Sequence, residues 1–368
     1  MILEKIELRN FRNYSKATIN LSDNINILYG KNAQGKTNIL EAIYVLGFTK
    51  THSSILDTNL IKNREKYCSI KGTLKNKNIK NELEVSYYEN IKKIKIDNNQ
   101  IKKVSDYISK LNVISFYPED LDIVKGSPIV RRNFLNLELS QLYGSYYKVL
   151  SDYNKLLKIR NEYLKKLSSN IDIDNNYFDI ITEYLIEKSI FIYKMRYKFI
   201  EKLNNNVNKI FKRLTNIENF NIKYVTNYEV MDDNLFKEKM KELYKKSLQK
   251  EIRNGSTLIG PHRDDLEFYI NDDNIKSLGS QGQKRMAVLS LKLAEIEIFK
   301  KYAKTNPILL LDDVFSELDI TKRNKLLTYI NKNIQTIITT TDLKNLSEKL
   351  INNGKIFYIK EGNIVKEK

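Results

Sequence analysis

The stretch from residue 30 to residue 37 constrains the fold of this chain more than any other. It reads Gly-Lys-Asn-Ala-Gln-Gly-Lys-Thr, which is the spacing of a P-loop. The apolar, β-branched run 25–29 before it predicts a strand, and apolar residues at 39, 40, 43 and 46 after it have helical spacing. A glycine-rich turn between a strand and a helix closes backbone N–H groups around phosphate oxygens. The stretch therefore predicts a site for the phosphates of a nucleotide, and we expect ATP with Mg²⁺.

The residues of this loop have distinct predicted roles. Lys36 is expected to reach the β- and γ-phosphates and to act in catalysis, and the Thr37 hydroxyl is expected to ligate Mg²⁺. The predicted nucleotide-binding residues of the loop are Gly30, Lys31, Asn32, Ala33, Gln34, Gly35, Lys36 and Thr37.

A second run predicts the other half of the nucleotide site. Four apolar residues, 308–311, are followed by Asp312 and Asp313. A buried parallel strand delivers such acids at its carboxyl end, where ligands bind in open α/β sheets. We expect Asp312 to hold Mg²⁺, directly or through water, and Asp313 to orient or deprotonate the attacking water.

A third motif lies before a helical pattern that runs from about 283 to 301. Ser280, Gly282 and Gln283 at a helix N-terminus predict another anion site, although such residues also serve as an ordinary helix cap. One chain does not need two γ-phosphate sites for one nucleotide. We therefore expect a second copy of the chain to use this motif, in an ATP-dependent homodimer.

Composition limits the possible partners and compartments. The 368 residues carry a formal net charge of +18, which indicates either a polyanion partner such as nucleic acid or compositional drift toward Lys, Asn and Ile. Arg131 and Arg132 are candidates for a DNA contact, and a structural salt bridge is the alternative role for them. The sequence has no run of 18 apolar residues, so we expect no membrane span, and we also expect no signal peptide. One cysteine and two histidines exclude a zinc finger and suit a cytoplasmic protein.

The middle of the chain predicts long helices. Apolar residues at 139, 142, 146, 149, 153, 156, 163 and 167 are spaced by three and four, with one break at Arg160. A second helical pattern covers 180–214, after a polar stretch at 168–176. We expect an antiparallel helical hairpin arm over about 139–214, with two ordinary core helices as the alternative.

The order of these motifs resembles the ABC ATPase head shared by SMC proteins and the RecF/RecN group. The group's signature, Leu-Ser-Gly-Gly-Gln, corresponds to residues 279–283, where Ser280, Gly282 and Gln283 match and two positions depart. Residues 316–319 resemble its D-loop. Four further segments resemble RecF-like sequences in particular, namely residues 8–14, 118–121, 125–128 with Arg131 and Arg132, and 260–266.

The resemblance implies an α/β fold in two lobes. Lobe I is an ABC-type P-loop ATPase head with a mixed sheet around the P-loop helix, expected over 1–105 plus 300–368. Lobe II is largely helical, expected over 106–299, and carries the arm and the signature.

The resemblance also implies a function in DNA replication, DNA repair, recombination and the SOS response to DNA damage. The resemblance implies an ATP-dependent clamp that dimerises on ATP at gapped DNA, where duplex meets single strand. Working with RecR and RecO, such a clamp promotes loading of RecA. A weak, DNA-stimulated ATPase is expected. Slow hydrolysis would follow from Asp313, which is shorter than the glutamate usual in ABC transporters, and from 335–342, which contains no switch histidine. Thr341 and Asp342 are the candidates to sense the γ-phosphate instead.

Two alternatives of other classes stay open. One is a nucleotide-gated DNA scaffold with negligible hydrolysis. The other is a transporter-type nucleotide-binding subunit, against which the missing switch histidine and the lack of a glutamine-containing loop argue.

Overall fold

The computed structural model describes residues 1–52, 57–76, 79–89, 91–226, 232–330 and 334–367. The strands are β1 Ile2–Phe11, β2 Tyr14–Asn20, β3 Ile25–Tyr29, β4 Tyr67–Asn76, β5 Ile79–Tyr88, β6 Ile91–Ile96, β7 Asn99–Gln100, β8 Val113–Phe116, β9 Phe220–Val225, β10 Asp265–Ile270, β11 Asp273–Asn274, β12 Ile308–Leu311, β13 Thr336–Thr340, β14 Gly354–Lys360 and β15 Asn363–Glu367. The α-helices are α1 Lys36–Phe48, α2 Asp122–Lys125, α3 Pro128–Leu142, α4 Gly144–Ser168, α5 Asn175–Thr215, α6 Asp233–Asn254, α7 Ile275–Leu278, α8 Gln281–Ile298, α9 Ile320–Ile330 and α10 Glu348–Asn353. Within these ranges, none of the helices combines the length and the apolar character that a membrane crossing requires.

The chain divides into two compact units whose boundaries differ from the predicted ones. Unit 1 contains 1–121, 209–218 and 285–368, and unit 2 contains 122–208 and 219–284. The predicted lobe I ended at 105, but β8 pairs in parallel with β12 and so belongs to the unit 1 sheet. The end of α5 also belongs to unit 1, where Arg213 lies over the Tyr329 ring. These pairings join segments that are distant in sequence, so local composition does not reveal them.

Unit 1 places α1 against two sheets. The first has the order β15-β14-β3-β13-β12-β8 and is parallel except for the β14–β15 pair. The second is antiparallel, with the order β2-β1-β4-β5-β6-β7. Its inner face approaches α1 so closely that a Cβ on Gly72 would lie 2.3 Å from the Leu46 side chain. The strands of the parallel sheet that carry site residues, β3, β12 and β13, end at one common edge.

Unit 2 combines the long helices with the small sheet β11-β10-β9. Helices α4 and α5 run antiparallel, since Arg160 bonds to Thr182 and the Tyr163 ring lies 5.7 Å from the Tyr177 ring. The predicted hairpin is therefore present, but its start at 139 was wrong, because α3 ends at Leu142 and α4 begins only at Gly144.

The hairpin is packed against a third helix, as the core-helix alternative required. Helix α6 lies against both of its helices: Glu251 accepts a 2.7 Å bond from Arg160, and Lys241 donates to Glu183. Arg160 is 1% exposed and Glu251 is fully buried. The charged residue that seemed to interrupt the apolar pattern is thus a buried, paired member of the core.

Candidate nucleotide-binding site

Two glycines shape the loop between β3 and α1. Gly30 has φ +157°, and a Cβ there would lie 2.3 Å from the Ile359 carbonyl oxygen. Gly35 has φ +109°, and its Cβ would come within 3 Å of the Asn13 and Tyr14 side chains. Both positions therefore require glycine on grounds of conformation and of space.

The turn between β1 and β2 braces this loop, which the sequence analysis did not anticipate. Tyr14 donates its hydroxyl to the Gly35 carbonyl at 3.0 Å, and Asn13 donates its amide to the Gln34 carbonyl at 3.1 Å. Asn38 in the first turn of α1 donates to the Asn13 amide oxygen at 2.8 Å. The segment 8–14, noted above only as a family resemblance, thus holds the P-loop in shape.

Lys36 folds back over the loop that precedes it. Its Nζ donates to the carbonyl oxygens of Gly30 at 2.6 Å and Lys31 at 2.7 Å, and the residue is 7% exposed. Burial lowers the pKa of Lys36, while the nearby carboxylates of Asp313 and Asp312 act to raise it. Lys36 therefore carries a positive charge, held by backbone carbonyls, that can turn toward a phosphate.

Thr37 of the P-loop and Asp312 at the end of β12 lie side by side, as expected for two ligands of one Mg²⁺ ion. Thr37 Oγ1 lies 3.0 Å from Asp312 Oδ1 and 3.1 Å from Oδ2. Burial raises the pKa of Asp312, and hydrogen bonds from Thr339 and Thr37 act to lower it. A hydroxyl and a carboxylate side by side are oxygen ligands of the kind that Mg²⁺ takes together with phosphates.

Thr339 is a further site residue that sequence reasoning missed. Its Oγ1 donates to Asp312 Oδ1 at 2.7 Å and accepts the Asp313 N–H at 2.9 Å. It lies near the carboxyl end of β13, the parallel neighbour of β12. Only the order of the strands in the sheet places Thr339 at the site, because neighbouring parallel strands end at the same edge.

Asp313 stands in an unusual backbone conformation beside Asp312. Its φ is +51°, which is uncommon for a residue with a Cβ. Its Oδ1 is buried, and among the described residues it has no hydrogen-bond partner. A buried carboxylate oxygen without a partner is costly, and such a group can orient or deprotonate a water molecule.

The candidates for γ-phosphate sensing follow β13. The Asp342 carboxylate accepts the Lys344 N–H at 2.9 Å and caps the short helix Leu343–Asn345, and its carbonyl oxygen accepts the Thr340 hydroxyl at 2.8 Å. Thr341 is half-buried at the same turn. Asp342 is therefore engaged in local structure.

The signature residues cap α8 in unit 2. Gln283 Oε1 accepts the Ser280 N–H at 2.7 Å, and Ser280 Oγ accepts the Gln283 N–H at 3.2 Å. This reciprocal pair is a capping box, so the ordinary cap is present. Gly282 faces open space, with only Ser280 Oγ within 4 Å of an added Cβ. Ser280, Gln281 and Gly282 are exposed at the α8 N-terminus.

Arg131 and Arg132 have structural partners. Arg131 is 2% exposed and makes two bonds to the Asp265 carboxylate, at 2.6 and 2.9 Å. Arg132 donates to the Asp264 carbonyl at 2.7 Å. Arg131 therefore forms the structural salt bridge that was the alternative to a DNA contact.

Comparison with known proteins decides the family. The family model for the RecF/RecN/SMC N terminal domain matches residues 2–364. The chain is 41% identical over 369 residues to the DNA replication and repair protein RecF of Bacillus cereus (strain G9842), covering 99% of this chain and 98% of that protein. It is 40% identical to the RecF protein of Bacillus mycoides (strain KBAB4). This chain belongs to the RecF family.

Solved structures agree with the assignment to the RecF family. A structure described as the recombination mediator protein RecF-ATP in the RecFOR pathway is 34% identical, with a TM-score of 0.92 over 100% of this chain and 97% of that chain. An Smc head bound to the C-winged helix domain of ScpA matches at 17% identity and a TM-score of 0.54, which supports the fold alone. The predicted α/β ABC-type head with a helical lobe is confirmed.

Proposed function

We propose that this RecF family member is a DNA-binding ATPase of replication and repair, which dimerises on ATP at gapped DNA. The observation that carries the proposal is the meeting of Thr37 with Asp312, 3.0 Å apart, beside Lys36 and Asp313. A P-loop alone indicates phosphate binding, whereas a P-loop joined to a strand-end aspartate pair indicates nucleotide hydrolysis.

The residues divide the work at this site. When bound, MgATP supplies the phosphoanhydride bond and the metal charge. Backbone N–H groups at the α1 N-terminus and the Lys36 ammonium would neutralise the phosphates, and Thr37 with Asp312 would hold Mg²⁺. Thr339 keeps the Asp312 carboxylate in place through its 2.7 Å hydrogen bond. Asp313 would orient the attacking water and accept its proton.

The dimer follows from the second anion site. Ser280, Gly282 and Gln283 would bind the nucleotide held by a second copy of the chain. The exposed α8 N-terminus and the open space at Gly282 support this role. We propose that two heads joined in this way form one basic surface for DNA.

The partners are proposed from the relatives. One related RecF structure is described as part of the RecFOR pathway. We propose that this protein works with RecO and RecR in the cytoplasm and promotes loading of RecA onto single-stranded DNA. The net charge of +18 supports direct binding to DNA.

Slow turnover is part of the proposal, and the nucleotide-gated scaffold is its rival. Asp313 is one methylene shorter than glutamate, and the Asp342 carboxylate is engaged in capping. Both observations favour weak hydrolysis, and we propose that DNA stimulates it. The matched family gives the transporter alternative no support.

Replacement of Asp313 separates the ATPase from the scaffold. In Asp313→Asn, ATP turnover should fall by about 10²–10⁴-fold, the usual contribution of a general base, and the ATP-bound dimer should persist in light scattering. The matched control is Asp106→Asn, which removes an exposed carboxylate of the same unit. A scaffold would show negligible turnover in the wild type and an unchanged dimer lifetime in Asp313→Asn, and that result would refute the ATPase proposal.

A further inference from the structure

One end of the antiparallel sheet of unit 1 carries a group of aromatic and basic side chains that the proposed nucleotide site does not use. The strand register sets Arg9 opposite Ser69, Ser69 opposite Ser86, and Ser86 opposite Lys93. The next row sets Tyr67 opposite Tyr88. Residues opposite each other point to the same face, so these side chains share the face turned away from α1.

The four long side chains form a layered stack across strands β1, β4, β5 and β6. The rings of Tyr67 and Tyr88 have centroids 5.5 Å apart and lie 13° from parallel. The Arg9 guanidinium lies 5.5 Å from the Tyr67 centroid, and the Lys93 ammonium lies 4.8 Å from the Tyr88 centroid. We name these four residues the tyrosine platform.

The tyrosine platform is open to solvent and rich in uncompensated positive charge. Tyr88 is 40% exposed, and both Arg9 and Lys93 are exposed. Among the described residues, neither cation has an ion-pair partner, and the same holds for Lys16, which lies opposite Arg9. Glu89 follows Tyr88 in the turn, so cations still outnumber carboxylates there.

The remaining charges of the same face behave differently. Glu82 and Glu84 are bonded to Lys71, and Glu84 also to Lys95. Glu7 pairs with Lys5. The centre of the face is therefore neutralised by internal ion pairs, and its free positive charge gathers at the tyrosine end.

The geometry points to a binding site for an unpaired nucleic-acid strand on the tyrosine platform. Proteins that hold single strands combine basic groups for the backbone with aromatic rings for the bases. The cations now over the rings have long, exposed side chains, so a base can replace them on the ring faces while they move to phosphates. Duplex DNA offers its phosphates but not its base faces, so only an unpaired strand uses rings and cations together. The inference deepens the proposed DNA-binding function and rests on it.

The test compares single-strand and duplex binding by the full-length chain. The probes are a labelled oligothymidylate and a labelled blunt duplex, each followed by fluorescence anisotropy. The Tyr67→Leu, Tyr88→Leu double variant should lose single-strand affinity by about fivefold to 150-fold for each ring that stacks on a base. Duplex affinity and the salt dependence should stay unchanged, because no phosphate contact is removed.

Matched variants separate the ring from the charge. Tyr302 is also 40% exposed, with the Lys301 ammonium 5.4 Å from its centroid, and Tyr302→Leu should leave single-strand affinity unchanged. Lys93→Gln should lower the single-strand salt slope by about 0.7. Tyr88→Phe should retain binding, because it keeps the ring.

A fluorescent reporter makes the test independent of affinity. The chain contains no tryptophan, so Tyr88→Trp places a single tryptophan at the tyrosine platform, which can be excited selectively over the tyrosines. Its emission should be quenched by the oligothymidylate and not by the duplex. Absence of quenching together with unchanged affinity in the leucine variant would overturn the inference, and the proposed DNA-binding function would stand. A wild-type chain that binds neither probe would overturn both.

Discussion

The pKa of His262 tests the buried polar network of unit 2. His262 Nε2 lies 3.1 Å from the Thr257 carbonyl oxygen, which can only accept, so this nitrogen carries the proton. Nδ1 therefore accepts from the Tyr153 hydroxyl at 2.6 Å. Burial lowers the pKa of His262 to about 4 from the ordinary 6.5, and the positive charges of Arg263 and Arg132 act in the same direction. The neutral imidazole is thus the form that the fold accommodates.

The sign and size of the effect follow from linkage. The unfolded chain binds the proton near pH 6.5 and the folded chain near pH 4, so stability is full above pH 6.5 and is lost as the pH falls toward 4. The complete loss is about 3 kcal/mol, of which about 2 kcal/mol falls between pH 7 and pH 5. Asp264 opposes this trend, because burial raises its pKa to about 6 and acid then favours the folded state.

The comparison with His262→Gln removes the opposing contribution of Asp264. Glutamine keeps a donor and an acceptor but does not titrate, and Asp264 should act nearly equally in both proteins. In urea unfolding, the wild type should lose about 2 kcal/mol more than the variant between pH 7 and pH 5. Equal losses in the two proteins would refute the reasoning.

A second measurement follows the imidazole directly. The chain has two histidines, so the imidazole NMR signal that is absent in His262→Gln belongs to His262. It should titrate with a midpoint near pH 4. A midpoint near 6.5 would show that the ring is not held as described.

The remaining predictions concern ATP and DNA. Lys36→Met should abolish binding of labelled ATP, because Lys36 is the cation that the loop offers to the phosphates; normal affinity in a folded variant would contradict the site. Ser280→Arg should bind ATP normally yet fail to dimerise in light scattering, and mixing it with Lys36→Met should restore one composite site. Loss of ATP affinity in Ser280→Arg alone would count against a role across the dimer. With a non-hydrolysable ATP analogue, the logarithm of affinity for gapped DNA should fall more steeply with log salt than with ADP, by about 0.9 for each added duplex phosphate contact; equal slopes would leave the charge of +18 as compositional drift.

Much of the geometry of the proposed nucleotide site was predictable because its signals are local. The P-loop spacing sets two glycines, Lys36 and Thr37 within eight residues, and the structure builds the expected strand, turn and helix there. The apolar run before Asp312 likewise forms the buried strand β12. The periodicity of apolar residues also predicted the long helices in the middle of the chain, since it depends only on which face of each element is buried.

The partners of the polar residues were decided by the tertiary structure alone. Thr339 reaches Asp312 because β12 and β13 are neighbours in the sheet. Arg160 interrupts the apolar pattern in sequence, yet Glu251 from α6 makes it part of the core.

The same reason explains the domain boundaries and the arm. Residues 106–121 belong to unit 1 because β8 pairs with β12. The two helices of the predicted arm pack against a third helix, α6. Sequence alone determined where the chain buries apolar surface and where it can cradle phosphate, because both depend on residues that are near one another in the chain. It did not determine which distant segment supplies the partner of a buried charge, because that depends on the packing of whole elements.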